Sequence, residues 1–325
     1  MNTNKRTLKK SIVVFMLNNK TFLIAVILGI ILSFASPRFL TAVNLTNVLR
    51  QICVVGIMAI PFTFIIGIGD IDLSVGSIVG IVGIIVSVLM RDAGFSLFAA
   101  MTIGMIIGAA CGALNAGLIS ALDLPPFIVT FATQSLLRGI VYISTNMVPI
   151  NRIPDSLIRM GQGYIGPIPI PVIVMFIVLA ICWTISKKTK FGRHIVAMGG
   201  NKEAAYHCGI NTNRVRLKVF CLLGVCCAVA AVVLTGRTAS GQVSAGNGNE
   251  MDCITAVVLG GSSFSGGVTN IAGTFWGTLI VGMITNGMNL LGIDSNFQII
   301  AKGLMILIAL VIDNASSKIY NKLKK

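Results

Sequence analysis

Two carboxylates, Asp70 and Asp72, stand in the segment "GDIDLSVGS" between long runs of Ile, Val and Gly. In an apolar, lipid-like setting a carboxylate is the group with which a membrane protein takes up a proton or a cation. It can also accept the free N–H groups at the start of a helix and meet the positive end of the helix dipole. We expect Asp72 to cap a helix in this way, at a break formed by Gly69, Asp72, Ser74 and Gly76, and we expect Asp70 to be more dispensable.

The energies limit where such a break can lie. A helix cap contributes about 0.5–2 kcal/mol in water, whereas a charged Asp at the bilayer centre costs about 2.5–3.5 kcal/mol on insertion scales. The cap alone does not offset that cost. We therefore expect the break to lie near the cytoplasmic face of the membrane or to line a wet cavity.

Polar side chains also recur along one predicted helix. Thr130, Gln134 and Arg138 are spaced at i, i+4 and i+8, with Thr133 beside them. Their hydroxyl, amide and guanidinium groups could hydrogen-bond to a polar solute, which predicts a translocation path. Hydrogen bonding between packed membrane helices explains the same pattern, and both interpretations stay open.

Motifs for enzyme chemistry are missing from the sequence. It contains no G-x-x-x-x-G-K-[ST], H-E-x-x-H or G-x-S-x-G motif, no C-x-x-C, and no plausible set of His, carboxylate and nucleophile. We therefore expect no catalytic residues, no bound metal and no cofactor. If the chain takes part in active transport, the energy comes from an ion gradient or from a separate ATPase.

Composition places the chain in a membrane. Of its 325 residues 55% are hydrophobic and 11% are charged, and the mean hydropathy is +0.91. Soluble domains carry about 25% charged residues, so this chain has too little polar surface to coat a globule of its size. The eight cysteines, most of them in apolar runs, are expected to be small buried hydrophobic residues.

Apolar segments recur along the whole sequence and predict an all-α, polytopic membrane protein with about ten transmembrane helices, some of them broken. The segments are 22–36, 52–68, 73–90, 97–119, 127–144, 169–186, 215–235, 252–262, 271–291 and 297–312. We expect helices 2–5 and 7–10 to be inverted repeats. The interrupted segments 67–83 and 259–277 are predicted to be corresponding breaks, which is the pattern of a translocation site.

Positive charge gives the predicted topology. The net charge is +15, and most Lys and Arg residues lie in three segments: a tail at 1–20, a loop at 187–214 and a tail at 314–325. The positive-inside rule places all three on the cytoplasmic side of the inner membrane and leaves 145–168 outside. The transmembrane domain is then 21–313, and membrane topology, not binding to nucleic acid, explains the charge.

The central loop, residues 187–214, contains a predicted short helix. Asn201 is a favourable N-cap, Glu203 in the first turn complements the helix dipole, and Gly209 is placed to end the helix. The result is a helix of about two turns among basic residues.

Several motifs, in order, carry a family resemblance. E-A-A-x-x-x-G, here Glu203, Ala204, Ala205 and Gly209, resembles the coupling motif of ATP-binding-cassette (ABC) importer permeases. The segments "GDIDLSVGSIVG", "LPPFIVTFATQSLLRGI" and "EMDCITAVVLGGSSFSGG" resemble signatures of the ribose-type branch, and the resemblance runs from about residue 45 to 313. Asp70 stands where that branch commonly has Gly, and "DCITAV" at 252–257 departs from its small apolar residues.

The resemblance implies the membrane subunit of an importer for a monosaccharide or similar small polar solute. Its partners would be an ABC ATPase bound at the coupling helix, an external solute-binding protein and a second permease chain, as a homo- or heterodimer. The alternative from the residues is an ion-coupled secondary transporter or channel that uses the carboxylates Asp70 and Asp72.

Overall fold

The apolar runs of the sequence form helices in the computed structural model, which describes residues 20–323. The helices are α1 (Lys20–Ala35), α2 (Ala42–Gly67), α3 (Val75–Arg91), α4 (Leu97–Ala121), α5 (Pro126–Thr145), α6 (Asp155–Gln162), α7 (Ile170–Lys188), α8 (Lys190–Gly200), α9 (Lys202–His207), α10 (Thr212–Thr238), α11 (Asn249–Leu259), α12 (Ile271–Leu290) and α13 (Ser295–Leu323). A β-hairpin whose strands have two residues each, β1 (Tyr164–Ile165) and β2 (Ile168–Pro169), joins α6 to α7. The all-α prediction is confirmed.

All ten predicted segments are helical, but they differ in length. Within residues 20–323, six helices are long and apolar enough to cross a membrane: α2, α4, α5, α7, α10 and α12. Three shorter apolar helices fall within α1, α3 and α13, and α11 has only 11 residues. The sequence therefore predicted the polytopic class correctly, including the short segment near residue 252.

The core forms around α2 and α10, the helices with the most buried residues. α10 packs against α4, where small residues allow close approach of the two backbones. A β-carbon on Gly108 would overlap the carbonyl of Gly224, and one on Gly112 would overlap the carbonyl of Phe220. The glycine row of α4 is therefore a helix-packing surface.

The bundle has two distinct ends because α10, with 27 residues, is about 40 Å long. α8 and α9 precede its first residue, and we call this the central-loop end. At the other end, the far end, α6 packs against the last turn of α10, where Gly161 lies against Gly236. The loops 187–214 and 145–168 thus lie at opposite ends of the bundle.

The central loop differs from its prediction in two ways. It contains a second helix, α8, whose Ile195 and Met198 are buried. α10 also begins inside it, at Thr212, and Arg216, two residues beyond the loop, is only 4% exposed within α10. Cys208 corrects the expectation for the cysteines, since it is exposed.

The predicted tails only partly overlap the described residues. Of the tail at 1–20, residues 1–19 lie outside them. α13 continues from the predicted permease domain through residue 313 to residue 323, so the C-terminal tail is helical as far as it is described.

The helix order corrects one prediction about the repeats. The first break, 68–74, lies between helices 2 and 3 of the ten, which are α2 and α3. The equivalent segment of the second repeat is 239–248, between α10 and α11, and not 259–277, which lies around the turn from α11 to α12. The glycine-rich appearance of 259–277 suggested the wrong partner.

Candidate functional site

The first break begins where α2 ends. Gly69 has φ +81°, a left-handed conformation that glycine adopts without steric cost. Asp72, 1% exposed, accepts hydrogen bonds from the backbone N–H of Ser74 at 2.8 Å and from its hydroxyl at 2.6 Å. Asn115 of α4 donates to the same hydroxyl at 2.9 Å. Asp72 therefore accepts the N–H of Ser74, the residue that precedes α3.

The break lies about halfway between the middle of the bundle and its central-loop end. Asn115, which contacts Ser74, is six residues before the end of α4, and six residues of helix rise about 9 Å. Asp72 is therefore displaced from the middle of the bundle towards the central-loop end, and its depth in the membrane stays a prediction.

Asp70 has a charged partner that the sequence did not reveal. Arg216 Nε donates to Asp70 Oδ2 at 2.6 Å and Arg216 Nη2 donates to Oδ1 at 3.2 Å. Both side chains are about 5% exposed. The expectation that Asp70 is dispensable took no account of this buried, bidentate ion pair.

The polar residues Thr130, Thr133, Gln134 and Arg138, which we call the α5 stripe, differ in their contacts. Thr130 accepts the backbone N–H of Leu73 at 3.1 Å, and Thr133 donates to the carbonyl of Val129 within its own helix at 3.0 Å. Gln134 Nε2 lies 3.4 Å from Glu250 Oε1. Thr130 thus stabilises the first break, and Gln134 reaches the first turn of α11.

Arg138 joins the two breaks. Its Nη1 donates to the carbonyls of Val243 and Ala245, both at 2.9 Å, and its Nη2 donates to the carbonyl of Gly76 at 3.2 Å. One guanidinium thereby satisfies three carbonyls from the start of α3 and from the segment before α11. The predicted break residues and the α5 stripe therefore form one cluster in the structure.

A polar cavity of about 270 Å³ lies on the far-end side of this cluster. Its polar lining comes from α2, α10, the second break and α11–α13, and consists of Gln51, Arg237, Thr238, Gln242, Ser244, Asn247, Asn249, Asp252, Thr285 and Lys302. Lys302 Nζ donates to Asp252 Oδ2 at 2.8 Å and so connects α13 to α11. Amide, hydroxyl and charged groups converge here between apolar helices, and none of the α5 stripe residues is among the lining.

The sequence contained weak signals for this cavity. Lys302 interrupts an apolar helix, and Asp252 precedes the unusual residues Cys253 and Thr255. A charge within an apolar helix usually faces the bundle interior and pairs with another, but spacing along the chain does not identify the partner 50 residues away.

The predicted coupling helix is α9, and it is separate from the cavity. Asn201 is its N-cap, since Asn201 Oδ1 accepts the N–H of Ala204 at 2.9 Å. Gly209, with φ +83°, follows its last turn. Ala205 is buried, whereas Glu203 and Ala204 are exposed, so α9 holds one side to the protein and presents the other outward.

Glycine contacts fix the central loop to the bundle. Gly199, near the end of α8, lies so close to Gly67 that a β-carbon would overlap the carbonyl of Gly67. Gly267 donates its N–H to the same carbonyl at 3.0 Å. The segment that precedes α9 therefore touches the end of α2, immediately before the first break.

Comparisons with known proteins agree with this architecture. Residues 44–310 match the sequence profile of the family described as "Branched-chain amino acid transport system / permease component". The chain is 41% identical over 298 residues to the ribose import permease protein RbsC of Bacillus subtilis (strain 168), covering 91% of this chain and 92% of that protein. It is 38% identical over 304 residues to RbsC of Haemophilus influenzae, with 92% and 94% covered. It is 34% identical over 297 residues to the D-allose transport system permease protein AlsC of Escherichia coli (strain K12), with 91% of each covered. No solved structure matches the chain.

Proposed function

Because the chain belongs to the permease family of ABC importers, together with permeases for ribose and allose, we propose that it carries a monosaccharide across the inner membrane through the polar cavity. The observation that supports this most directly is the cavity lining, where side-chain amides, hydroxyls and one ion pair face a common space. These groups donate and accept hydrogen bonds as sugar hydroxyls require.

The path passes from the cavity to the meeting point of the two breaks. Gln242 and Asn249 line the cavity and belong to the second break and the first turn of α11. Arg138 lies behind them and holds the backbone of both breaks. In this arrangement Thr130, Gln134 and Arg138 position the wall of the path, Thr133 bonds within its own helix, and the cavity residues contact the solute.

α9 is the docking helix for a separate ABC ATPase that hydrolyses ATP. The ATPase binds its exposed side, which carries Asn201, Glu203, Ala204 and Gly209 around the buried Ala205. Two features support this role. The N-cap and the left-handed glycine define a short rigid helix, and the glycine contacts of α8 join it to the end of α2. A displacement of α9 is therefore transmitted directly to the first break.

The two ends of the bundle determine where we place the remaining subunits. A solute-binding protein docks at the far end, over α6 and the hairpin, and a second permease chain completes the path as a homo- or heterodimer. The exposed apolar faces of the outer helices contact lipid. The central loop and both termini are cytoplasmic, with 1–20 and 314–325 as basic tails around the permease domain 21–313.

Reconstitution tests the function. The chain, its ATPase and its binding protein are placed in proteoliposomes, and uptake of labelled ribose, allose and xylose is measured with and without ATP. We expect saturable uptake of at least one sugar that needs both ATP and the binding protein. Uptake that runs without ATP and stops when an ionophore collapses the ion gradient would support the ion-coupled alternative instead.

Cysteine labelling tests the orientation. With the other cysteines replaced by Ala, the exposed native thiol of Cys208 reports on the central loop, and Ser156→Cys in the exposed first turn of α6 reports on the far end. In intact spheroplasts an impermeant maleimide should label residue 156 and leave Cys208 unlabelled until the membrane is permeabilised. The reverse pattern would invert the proposed topology.

A further inference from the structure

The buried ion pair of Asp70 and Arg216 connects three parts of the bundle. Asp70 belongs to the first break, and Arg216 lies in the second turn of α10. Arg216 Nη1 also donates to the hydroxyl of Ser120, in the last turn of α4, at 3.2 Å. The guanidinium therefore makes hydrogen bonds to the break and to α4 while its own backbone belongs to α10.

α10 is the helix that leaves the central loop. Only residues 208–211 separate α9 from α10, and Asn211 caps α10 by accepting the N–H of Arg214 at 2.9 Å. This short, capped connection allows little movement of one helix relative to the other. A displacement of α9 therefore moves the first turns of α10, and with them Arg216.

The local structure of the break has its own support. Asp72, Ser74 and Asn115 form one set of hydrogen bonds, and Thr130 accepts the N–H of Leu73. Asp70 is not needed for these contacts.

An ion pair is well suited to transmitting movement between these parts. Two buried charges that separate lose their mutual attraction and are left without hydration, so they resist separation much more strongly than two apolar side chains do. The bidentate geometry also resists rotation of the guanidinium relative to the carboxylate.

We propose that Asp70 and Arg216 form a positioning pair that transmits the movement of α9 to the first break and so keeps ATP hydrolysis coupled to solute passage. This inference rests on the proposed function, because it assumes that a separate ATPase moves α9. Neither side chain contacts the solute.

The test measures sugar molecules taken up per ATP hydrolysed, in proteoliposomes that contain the complete transporter. We compare Asp70→Asn and Arg216→Gln with the double variant Asp70→Gly/Arg216→Gln. The double variant removes both charges and leaves no unpaired buried ion, so it folds even where a single variant does not. We expect each variant that assembles to retain ATP hydrolysis within twofold and to lose at least fivefold in uptake per ATP. Arg216→Lys, which keeps the charge, should recover at least half of the original ratio.

A matched control uses the exposed pair Arg91–Asp92, whose Nε–Oδ1 distance is 2.7 Å. Arg91→Gln/Asp92→Asn removes an ion pair of similar length from the far end of α3 and should leave the ratio unchanged. Uptake and hydrolysis that fall in equal proportion in the double variant, or a ratio that does not change, would overturn the inference. Failure of the unmodified transporter to couple uptake to ATP would instead contradict the proposed function itself.

Discussion

Gly76 and Gly246 face each other so closely that a β-carbon on either residue would overlap the carbonyl oxygen of the other. Gly76 lies in the first turn of α3, and Gly246 lies just before α11. The amino-terminal ends of two short helices, one from each repeat, therefore meet inside the bundle. This contact determines how close the two breaks come and how Arg138 reaches carbonyls on both.

Gly76→Ala should destabilise the protein by about 1–3 kcal/mol, because the added methyl group meets backbone that has no room to move. Thermal unfolding in detergent measures the effect. Gly139→Ala on α5 is the control, since nothing lies within 4 Å of its added β-carbon, and Ala should favour the helix by up to about 1 kcal/mol. Equal unfolding temperatures for the two variants would show that the breaks do not need this close contact.

Asp72→Asn should keep more than half of the uptake, because an amide oxygen still accepts the N–H and hydroxyl of Ser74. Asp72→Leu should lose stable protein or transport, since it leaves buried donors unpaired at a cost of about 1–3 kcal/mol. Uptake and recovery of folded protein are measured together. A folded but inactive Asn variant would indicate that the carboxylate must change its charge, as the ion-coupled alternative requires.

Glu203→Lys and Gly209→Pro should abolish co-purification of the ATPase while the permease remains folded. Glu203 is exposed in the first turn of α9, so its charge can be reversed without disturbing the bundle. Proline at residue 209 cannot adopt φ +83° and removes an N–H that donates to Tyr206. Asp155→Lys, the same charge reversal in the exposed first turn of α6, is the control and should retain the ATPase. Normal recovery of the complex with both α9 variants would refute the docking role.

Asn249→Ala should raise the sugar concentration for half-maximal uptake by fivefold or more, because it removes donors and acceptors from the cavity wall. Thr133→Val is the comparison, since its hydroxyl bonds within α5 and is not part of the cavity lining. We expect no change for this variant. If the sugar concentration for half-maximal uptake changed for Thr133→Val alone, the solute path would instead run along the α5 stripe.

Features that depend on neighbouring residues could be predicted from the sequence. Asn201 at the start of α9 and Gly209 after its end are local signals, because a cap and a left-handed residue act within one turn. The apolar runs likewise predicted the helices. The spacing on α5 showed that Thr130 and Arg138 share a face, which the cluster around the breaks confirms.

Contacts between distant parts of the chain could not be predicted in this way. Arg216 closely follows the basic central loop in the sequence, and only the packing of α10 against the bundle buries it beside Asp70. The correspondence of the breaks was assigned from composition, and 259–277 resembles the first break more than 239–248 does. Helix order, which the structure supplies, identifies the right partner.

The buried ion pair also has a consequence for biogenesis. Arg216 follows Asp70 by 146 residues, and at about 5–20 residues per second the ribosome needs roughly 7–30 s to reach it. The carboxylate of Asp70 therefore arrives at the membrane well before the guanidinium that neutralises it. The first break can reach its final structure only after Arg216 has been synthesised and α10 has packed beside it.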